Sequence, residues 1–305
     1  MPALERTSKP DQVRRAVQEQ STGTIRPRRS VLYMPGSNAR ALEKAQTLPA
    51  DALILDLEDA VAPDAKELAR TQVCDAVKAR GFGLREVVIR INALSTPWGK
   101  GDLAAAVAAR PDAILVPKIS EAADLRSIAA TAAGTALWAM IETPRAILDI
   151  GEIAATGGSL VCLVMGTNDL IKEMRAKTMR GRENLAAALS LSVLAARAHG
   201  LAIIDGVFNN IADPEGFHAE CQRARAFGFD GKTLIHPSQI APCNEIFAPA
   251  SEEVETARRI IAAFALPENS GKGAIALDGK MVERLHAEAA RHTVALAETI
   301  AARGV

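Results

Sequence analysis

Charged residues stand where runs of apolar, β-branched residues stop. ILDLEDAV carries Glu58 and Asp59, VVIRIN carries Arg90, ILVPK carries Lys118, ALWAMIE carries Glu142, LVMGTND carries Asp169, IIDG carries Asp205 and TLIHP carries His236. A charge at the end of a buried strand is costly unless it meets a partner or a ligand, so the series points to one shared pocket. Glu142 and Asp169 have the clearest chemistry. Two acids at the ends of neighbouring strands repel unless a cation or a proton intervenes, and Mg²⁺ takes one or two carboxylates and fills its remaining positions with water and substrate oxygens. The competing reading, in which each acid caps the helix after it, leaves Arg90 and Lys118 unexplained. Arg90 lies between isoleucines, and its rigid fork suits a carboxylate, an enolate or a thioester oxygen. Its structural alternative is an internal ion pair with Glu58 or Asp59, two acids that could also order metal-bound water. Lys118 is a substrate-binding candidate rather than a Schiff-base lysine, because an aldolase of that type would not need the acid pair. His236, ahead of Pro237, shapes a turn or touches a cofactor edge.

These side chains need strands to hold them. Apolar runs over Ser30–Met34, Ala52–Leu57, Glu86–Ile91, Ala113–Val116, Ala136–Ile141, Leu160–Met165, Leu201–Ile204 and Lys232–Ile235 have the length of buried parallel strands. Segments of helical period lie between them, among them Ala65–Arg80, Glu121–Ala133, Glu183–His199 and Pro214–Phe227. Proline and aspartate at Pro63-Asp64 and Asp213-Pro214 mark helix starts, and Gly81, Gly200 and Gly228 mark ends. The alternation predicts a (β/α)₈ TIM barrel, an α/β fold whose chemistry gathers at the carboxyl ends of the strands. A doubly wound sheet would concentrate its site at one switch point instead. Residues 1–27 read as a flexible N-terminal arm, 28–250 as the barrel and 251–305 as a C-terminal helical extension. That extension is expected to hold helices over Ser251–Leu266 and Gly279–Arg303 joined by the loop Pro267–Gly273, forming a lid or reaching a neighbouring protomer.

Composition narrows the function classes. The 305 residues are 49% hydrophobic and carry 36 Lys+Arg against 36 Asp+Glu, so no overall field favours nucleic acid or a membrane surface. Aromatic residues make up only 3%, too few for base-stacking platforms. Cys74, Cys162, Cys221 and Cys243 show no CxxC spacing, which argues against zinc or a disulfide framework and for a reduced, cytoplasmic setting. The stretch Met1–Arg29 is polar and basic with scattered prolines and has no apolar run of the length expected for a signal peptide or membrane span. The glycines of Gly99–Asp102 and Gly271–Gly273 match neither the P-loop nor the dinucleotide fingerprint.

Taken together, RRSVLYMPGSN, DALILDLEDAV with Lys66 and Ala69-Arg70 after it, VIRINAL with Gly101-Asp102-Leu103, ILVPK, IETP, MGTNDL, AIIDGV and GFDGKTLIHPSQI resemble the citrate lyase β-subunit-like family of the HpcH/HpaI aldolase superfamily. The resemblance runs from about Arg28 to the C-terminus. It implies a Mg²⁺-dependent barrel, with Mn²⁺ as the alternative ion, that acts on acyl-CoA thioesters of hydroxy acids and assembles as a homotrimer or homohexamer. By position it makes Glu142 and Asp169 the metal ligands and Arg90 the substrate arginine. Arg29, Pro35-Gly36 and Thr167-Asn168 become substrate and CoA contacts. The family's C-terminal G-x-M-(I/V)-D-x-P block reads here as Gly279-Lys280-Met281-Val282-Glu283-Arg284-Leu285, with Glu283 in place of the acid/base aspartate and no proline. A carboxylate one methylene longer either works through a shifted backbone or marks a different substrate.

The expected reaction is a retro-Claisen cleavage of a 3-hydroxyacyl-CoA of the malyl-CoA or citramalyl-CoA type, giving acetyl-CoA and glyoxylate or pyruvate. Arg90 would stabilise charge on the thioester oxygen and Glu283 would protonate the enolate carbon, with Glu58 and Asp59 the catalytic candidates for the acid/base role should Glu283 not serve. Two alternatives use the same residues: a thioester hydrolase of the (3S)-malyl-CoA thioesterase type, and a carrier-dependent or non-catalytic β subunit of a citrate lyase-like complex.

Overall fold

Eight parallel strands close on each other in the computed structural model, which describes residues 25–303. They are β1 (Ser30–Pro35), β2 (Ala52–Asp56), β3 (Glu86–Arg90), β4 (Ala113–Val116), β5 (Ala136–Ile141), β6 (Leu160–Met165), β7 (Ala202–Asp205) and β8 (Gly231–Leu234). Val31 of β1 lies opposite both Ala52 of β2 and Thr233 of β8, which closes the ring as a TIM barrel. The helices are α1 (Ala39–Ala45), α2 (Lys66–Lys78), α3 (Gly99–Ala109), α4 (Ala122–Thr131), α5 (Pro144–Leu148), α6 (Ile150–Ala154), α7 (Thr167–Glu173), α8 (Ala186–Ala198), α9 (Pro214–Phe227), α10 (Ile240–Phe247), α11 (Ser251–Ala265) and α12 (Arg284–Arg303). Among the described residues no helix is long and apolar enough to cross a membrane. The expected N-terminal arm falls outside the described residues up to residue 24.

Side chains alternate across each strand, and this two-residue period sorts the core into two layers. Val31, Ile54, Val88, Leu115, Trp138, Val164 and Ile204 fill the barrel interior. Leu32, Leu53, Leu55, Ile89, Ile114, Leu163 and Ile203 face the surrounding helices. The same parity fixes where the strand-end charges go. Asp56 and Glu58 follow Ile54 inward, Arg90 follows Val88, and Glu142 follows Met140. Asp205 follows Ile203 outward.

The amino ends of the strands are sealed by ion pairs. Arg28 bridges Glu86 at 2.7 Å with its guanidinium 5.1 Å from the Trp138 ring centroid, and Arg29 grips Asp51 through Nε and Nη2 at 2.8 and 2.9 Å. Arg29 therefore stands at the end of the barrel opposite the strand carboxyl ends. The expectation that it contacts substrate or CoA is corrected: the residue before β1 belongs to the closed face, where a fully buried Asp51 takes up its fork.

The C-terminal segment also departs from expectation. The second helix begins at Arg284, and a hairpin of β9 (Ala274–Leu277) and β10 (Lys280–Glu283) precedes it. Asp278 and Gly279 turn the chain with φ of 52° and 74°. Two successive left-handed residues suit Asp-Gly between antiparallel strands, and that dipeptide outweighs the helical spacing of Val282 and Leu285. The hairpin and α12 pack chiefly on α11.

Candidate active site

Arg90 ends β3 among carboxylates. Its Nε and Nη2 each donate to Asp56 at 2.6 Å, Nη1 lies 2.9 Å from Glu58 Oε2 and 3.5 Å from Asp59, and the Tyr33 ring centroid is 4.9 Å from its guanidinium carbon. Burial works against the charge, but the neighbouring acids, Asp56 first, hold Arg90 well above its ordinary pKa. Asp56 also accepts the backbone N–H groups of Glu58 and Ala60 at 2.8 and 3.1 Å, so one carboxylate fixes the arginine and the loop after β2. Glu58 is the unsettled member. Burial pushes its carboxyl up to about 8 against the pull of Arg90, and Asp59, Glu142 and Asp56 push the same way. Its Oε2 is close to Arg90 yet receives no well-aligned hydrogen bond.

A buried polar tie holds this loop to the next. Lys66 Nζ donates to the carbonyls of Leu57 and Glu58 and to Asn92 Oδ1 at 2.8, 2.7 and 2.7 Å, while Asn92 Nδ2 donates to Asp102 at 2.6 Å and Arg70 reaches Asp102 at 2.7 Å. The GKGD segment starts α3 and aims Asp102 at this network. Gly99 is required there, because a Cβ would stand 2.3 Å from the Ala93 carbonyl oxygen.

Glu142 and Asp169 form the second half of the site. Glu142 is fully buried at the end of β5, where its Oε1 accepts the Lys118 backbone N–H at 2.7 Å and its Oε2 has no partner. Lys118 holds φ at 56°, a left-handed conformation that costs a non-glycine residue about 1 kcal/mol or more. The bond to Glu142 gives that strain a purpose. The Lys118 ammonium lies 3.0 Å from Asp169 Oδ1 and 3.6 Å from Glu142 Oε1, in the position of a shared cation. Burial pushes the Glu142 carboxyl up to about 7, against the Lys118 charge and N–H. Burial opposes the Lys118 charge, and Glu142 and Asp169 outweigh it and raise its pKa. Gly166 makes room for the acid, since a Cβ there would sit 2.4 Å from the Glu142 Cβ and 2.7 Å from Oε2.

An orphaned buried carboxylate oxygen, a second acid across one cation position and an all-oxygen donor set fit a hard divalent ion. Glu142 and Asp169 are the residues that could hold it. Among the described residues no group of three or more His, Cys, Asp or Glu side chains forms a closed metal cage, so water or ligand oxygens would complete the shell.

The other expected residues divide. Pro35 and Gly36 lie at the carboxyl end of β1, where the Gly36 N–H donates to the Asp56 carbonyl at 2.9 Å and a Cβ would stand 2.6 Å from that oxygen. Thr167 is buried at the start of α7, and Asn168 exchanges side-chain hydrogen bonds of 2.8 and 3.3 Å with Asn209. Asp205 leaves the shared pocket that its strand end suggested. It is fully buried with Arg182 at 2.8 Å and Lys232 at 2.7 Å, and Lys232 also reaches Glu220 of α9, so this set cements strands to helix. His236 shapes the turn Pro237–Gln239 through Ser238. Glu283 ends β10, its N–H donating to His286 at 2.9 Å, and forms no bond to the pocket of its own chain. Asp56, Tyr33, Gly166 and the Lys66–Asn92–Asp102 tie were not singled out as site residues from sequence; their position two residues along from inward-facing apolar ones is the signal that would have found Asp56 and Tyr33.

The family model described as HpcH/HpaI aldolase/citrate lyase matches residues 29–237. A (3S)-malyl-CoA thioesterase of Cereibacter sphaeroides (strain ATCC 17029 / ATH 2.4.9) is 51% identical over 276 residues, covering 90% of this chain and 96% of the relative. The citrate lyase subunit beta of Escherichia coli (strain K12) is 35% identical over 285 residues, covering 90% and 94%. Among solved structures, the protein CitE from Mycobacterium tuberculosis in complex with magnesium, acetoacetate and coenzyme A superposes with a TM-score of 0.73 at 32% identity, covering 89% of this chain and 98% of that one. The chain belongs to the HpcH/HpaI aldolase/citrate lyase family.

Proposed function

We propose that this chain is a Mg²⁺-dependent enzyme of hydroxyacyl-CoA thioesters and that it hydrolyses a substrate of the malyl-CoA type. The observation that carries the reading is the pair Glu142 and Asp169 on one shared cation position, with the buried Oε2 of Glu142 left unpartnered and with Arg90 held rigid by Asp56. Mg²⁺ bound by Glu142 and Asp169 would supply Lewis-acid polarisation of the substrate's oxygens. Arg90 presents its fixed charge to the thioester carbonyl oxygen as it gains negative charge. Glu58, raised to about 8 by burial, takes the proton of the attacking water. Water adds to the carbonyl carbon, the C–S bond breaks, and the proton passes to the departing CoA sulfur. Lys118, Pro35-Gly36 and Thr167-Asn168 line the approach as substrate and CoA contacts.

Hydrolysis is preferred to the carbon–carbon cleavage expected from sequence because the thioesterase relative matches at 51% and the citrate lyase subunit at 35%. Cleavage is the second reading, supported by that subunit and by a pocket whose residue types serve both reactions. In either, Glu283 acts only through a neighbouring protomer of a homotrimer or homohexamer, since it forms no bond to its own pocket. Incubation with malyl-CoA and Mg²⁺ separates the two reactions: hydrolysis yields free CoA thiol and malate, and cleavage yields acetyl-CoA and glyoxylate. Glyoxylate without thiol would replace the first reading by the second, and neither product from a panel of hydroxyacyl-CoA thioesters would remove both.

A further inference from the structure

A second charged recess lies at the amino-terminal end of the barrel, away from the site. Arg26, Arg80, Arg85 and Arg303 line a cavity of about 260 Å³ with one acid, Asp112. The chain as a whole is neutral, with 36 Lys+Arg against 36 Asp+Glu, so this is a local concentration of charge. Three segments supply it: Arg26 precedes β1, Arg80 (φ 57°) and Arg85 lie on the connection from α2 to β3, and Arg303 ends α12.

The guanidiniums are not equally paired. Arg26 bridges Asp112 at 3.2 Å and Glu86 at 3.4 Å, and Glu86 is shared with Arg28. Arg85 directs Nε and Nη1 to the backbone carbonyls of Leu48 and Phe82, neutral acceptors that fix its fork and leave its charge uncompensated. Among the described residues no carboxylate forms a salt bridge with Arg80, Arg85 or Arg303. Burial lowers the pKa of Arg85, and burial with the nearby Arg26 and Arg29 lowers that of Arg303 against Asp51 and Glu86. A bound anion would relieve both. The recess also has apolar surface, with Phe82 buried and Leu84 66% exposed beside the arginines.

We infer that this recess binds a small multivalent oxyanion, a phosphorylated or polycarboxylate metabolite, with its charged groups on Arg80, Arg85 and Arg303 and its carbon frame against Phe82 and Leu84. The planar forks of Arg80 and Arg303 suit bidentate contact with such an anion, and Arg85, held by two carbonyls, adds its Nη2 and its fixed charge. The site is independent of the hydroxyacyl-CoA reading.

Calorimetric titration of the full chain with pyrophosphate, and separately with citrate, tests it. One site per chain is expected, weakened at least tenfold in Arg80→Gln/Arg85→Gln while CoA-ester turnover is unchanged. Arg303→Gln, on the last turn of α12, is the second variant and weakens binding in the same direction should the double variant not fold. Tighter pyrophosphate binding identifies a phosphorylated ligand, and tighter citrate binding a polycarboxylate. Absence of binding by either anion, or affinity unchanged in the variants, overturns the inference.

Discussion

Replacing Arg90 by lysine keeps the charge and removes the fork. In the structure the fork makes two donations to Asp56, both at 2.6 Å, and Asp56 is fully buried. An ammonium has no pair of parallel donors to match both oxygens, so two short charge-assisted bonds are replaced by one or by a strained bifurcated contact; at about 1.5–3 kcal/mol for a hydrogen bond to a charged group, the expected destabilisation is about 2–3 kcal/mol. Arg90→Met leaves Asp56 uncompensated, for which the cost is about 3–5 kcal/mol. Asp56 keeps its backbone donors from Glu58 and Ala60, which is why neither variant should unfold outright. Urea unfolding of wild type, Arg90→Lys, Asp56→Asn and the double variant measures the coupling. Turnover should fall at least tenfold in Arg90→Lys with smaller change in substrate affinity, because the planar donor set is matched to a developing oxyanion. A loss below about 0.5 kcal/mol with a small coupling energy would show that Asp56 does not hold Arg90, and the reasoning from geometry would fail.

Three further outcomes follow from the same contacts. Glu58 has its folded pKa raised from 4.5 to about 8, so its protonated form contributes stability that is fully present below about 4.5 and lost as pH rises through about 8. Glu58→Gln should therefore gain stability over wild type above pH 8 and not below pH 4.5, and should abolish the rise in rate through that range; an unchanged pH–rate profile would remove Glu58 as the base. Gly166→Ala places a Cβ 2.4 Å from that of Glu142, so it should weaken Mg²⁺ binding at least tenfold, and wild-type affinity would show that the acid has room to move. Glu283→Gln should lower turnover strongly with little effect on CoA-ester affinity if the longer carboxylate serves a neighbouring site, and wild-type kinetics in both Glu283→Gln and Glu283→Asp would exclude it.

The barrel was legible because eight apolar runs and their helical spacers repeat in order, and the strand ends differ from the expected ones by a residue or two, as at β7 (Ala202–Asp205 against Leu201–Ile204). The bonding among the site residues was less legible. Charges at strand ends identify which residues lie near the rim but not their side of the strand, and side-chain parity separates Asp56, Glu58, Arg90 and Glu142 from Asp205. Applied to ILDLED, the same rule would have paired Arg90 with Asp56 before Glu58. The resemblance assigns Arg29 to substrate, although a residue directly ahead of the first strand stands at the amino end of a parallel barrel, where Asp51 holds it. Gly166 carries its reason in a side chain more than 20 residues away in sequence, at Glu142, which no local pattern reveals. The hairpin of β9 and β10 was announced by Asp278-Gly279 and obscured by a coincident apolar spacing.

The central claim is that Glu142 and Asp169 share one divalent cation. Calorimetric titration of Mg²⁺ into the substrate-free chain measures this directly. One ion per chain is predicted for wild type, with no detectable binding in Glu142→Gln or Asp169→Asn and circular dichroism spectra unchanged in both. Equal affinity and stoichiometry in either variant, or no Mg²⁺ binding by wild type, would contradict the account.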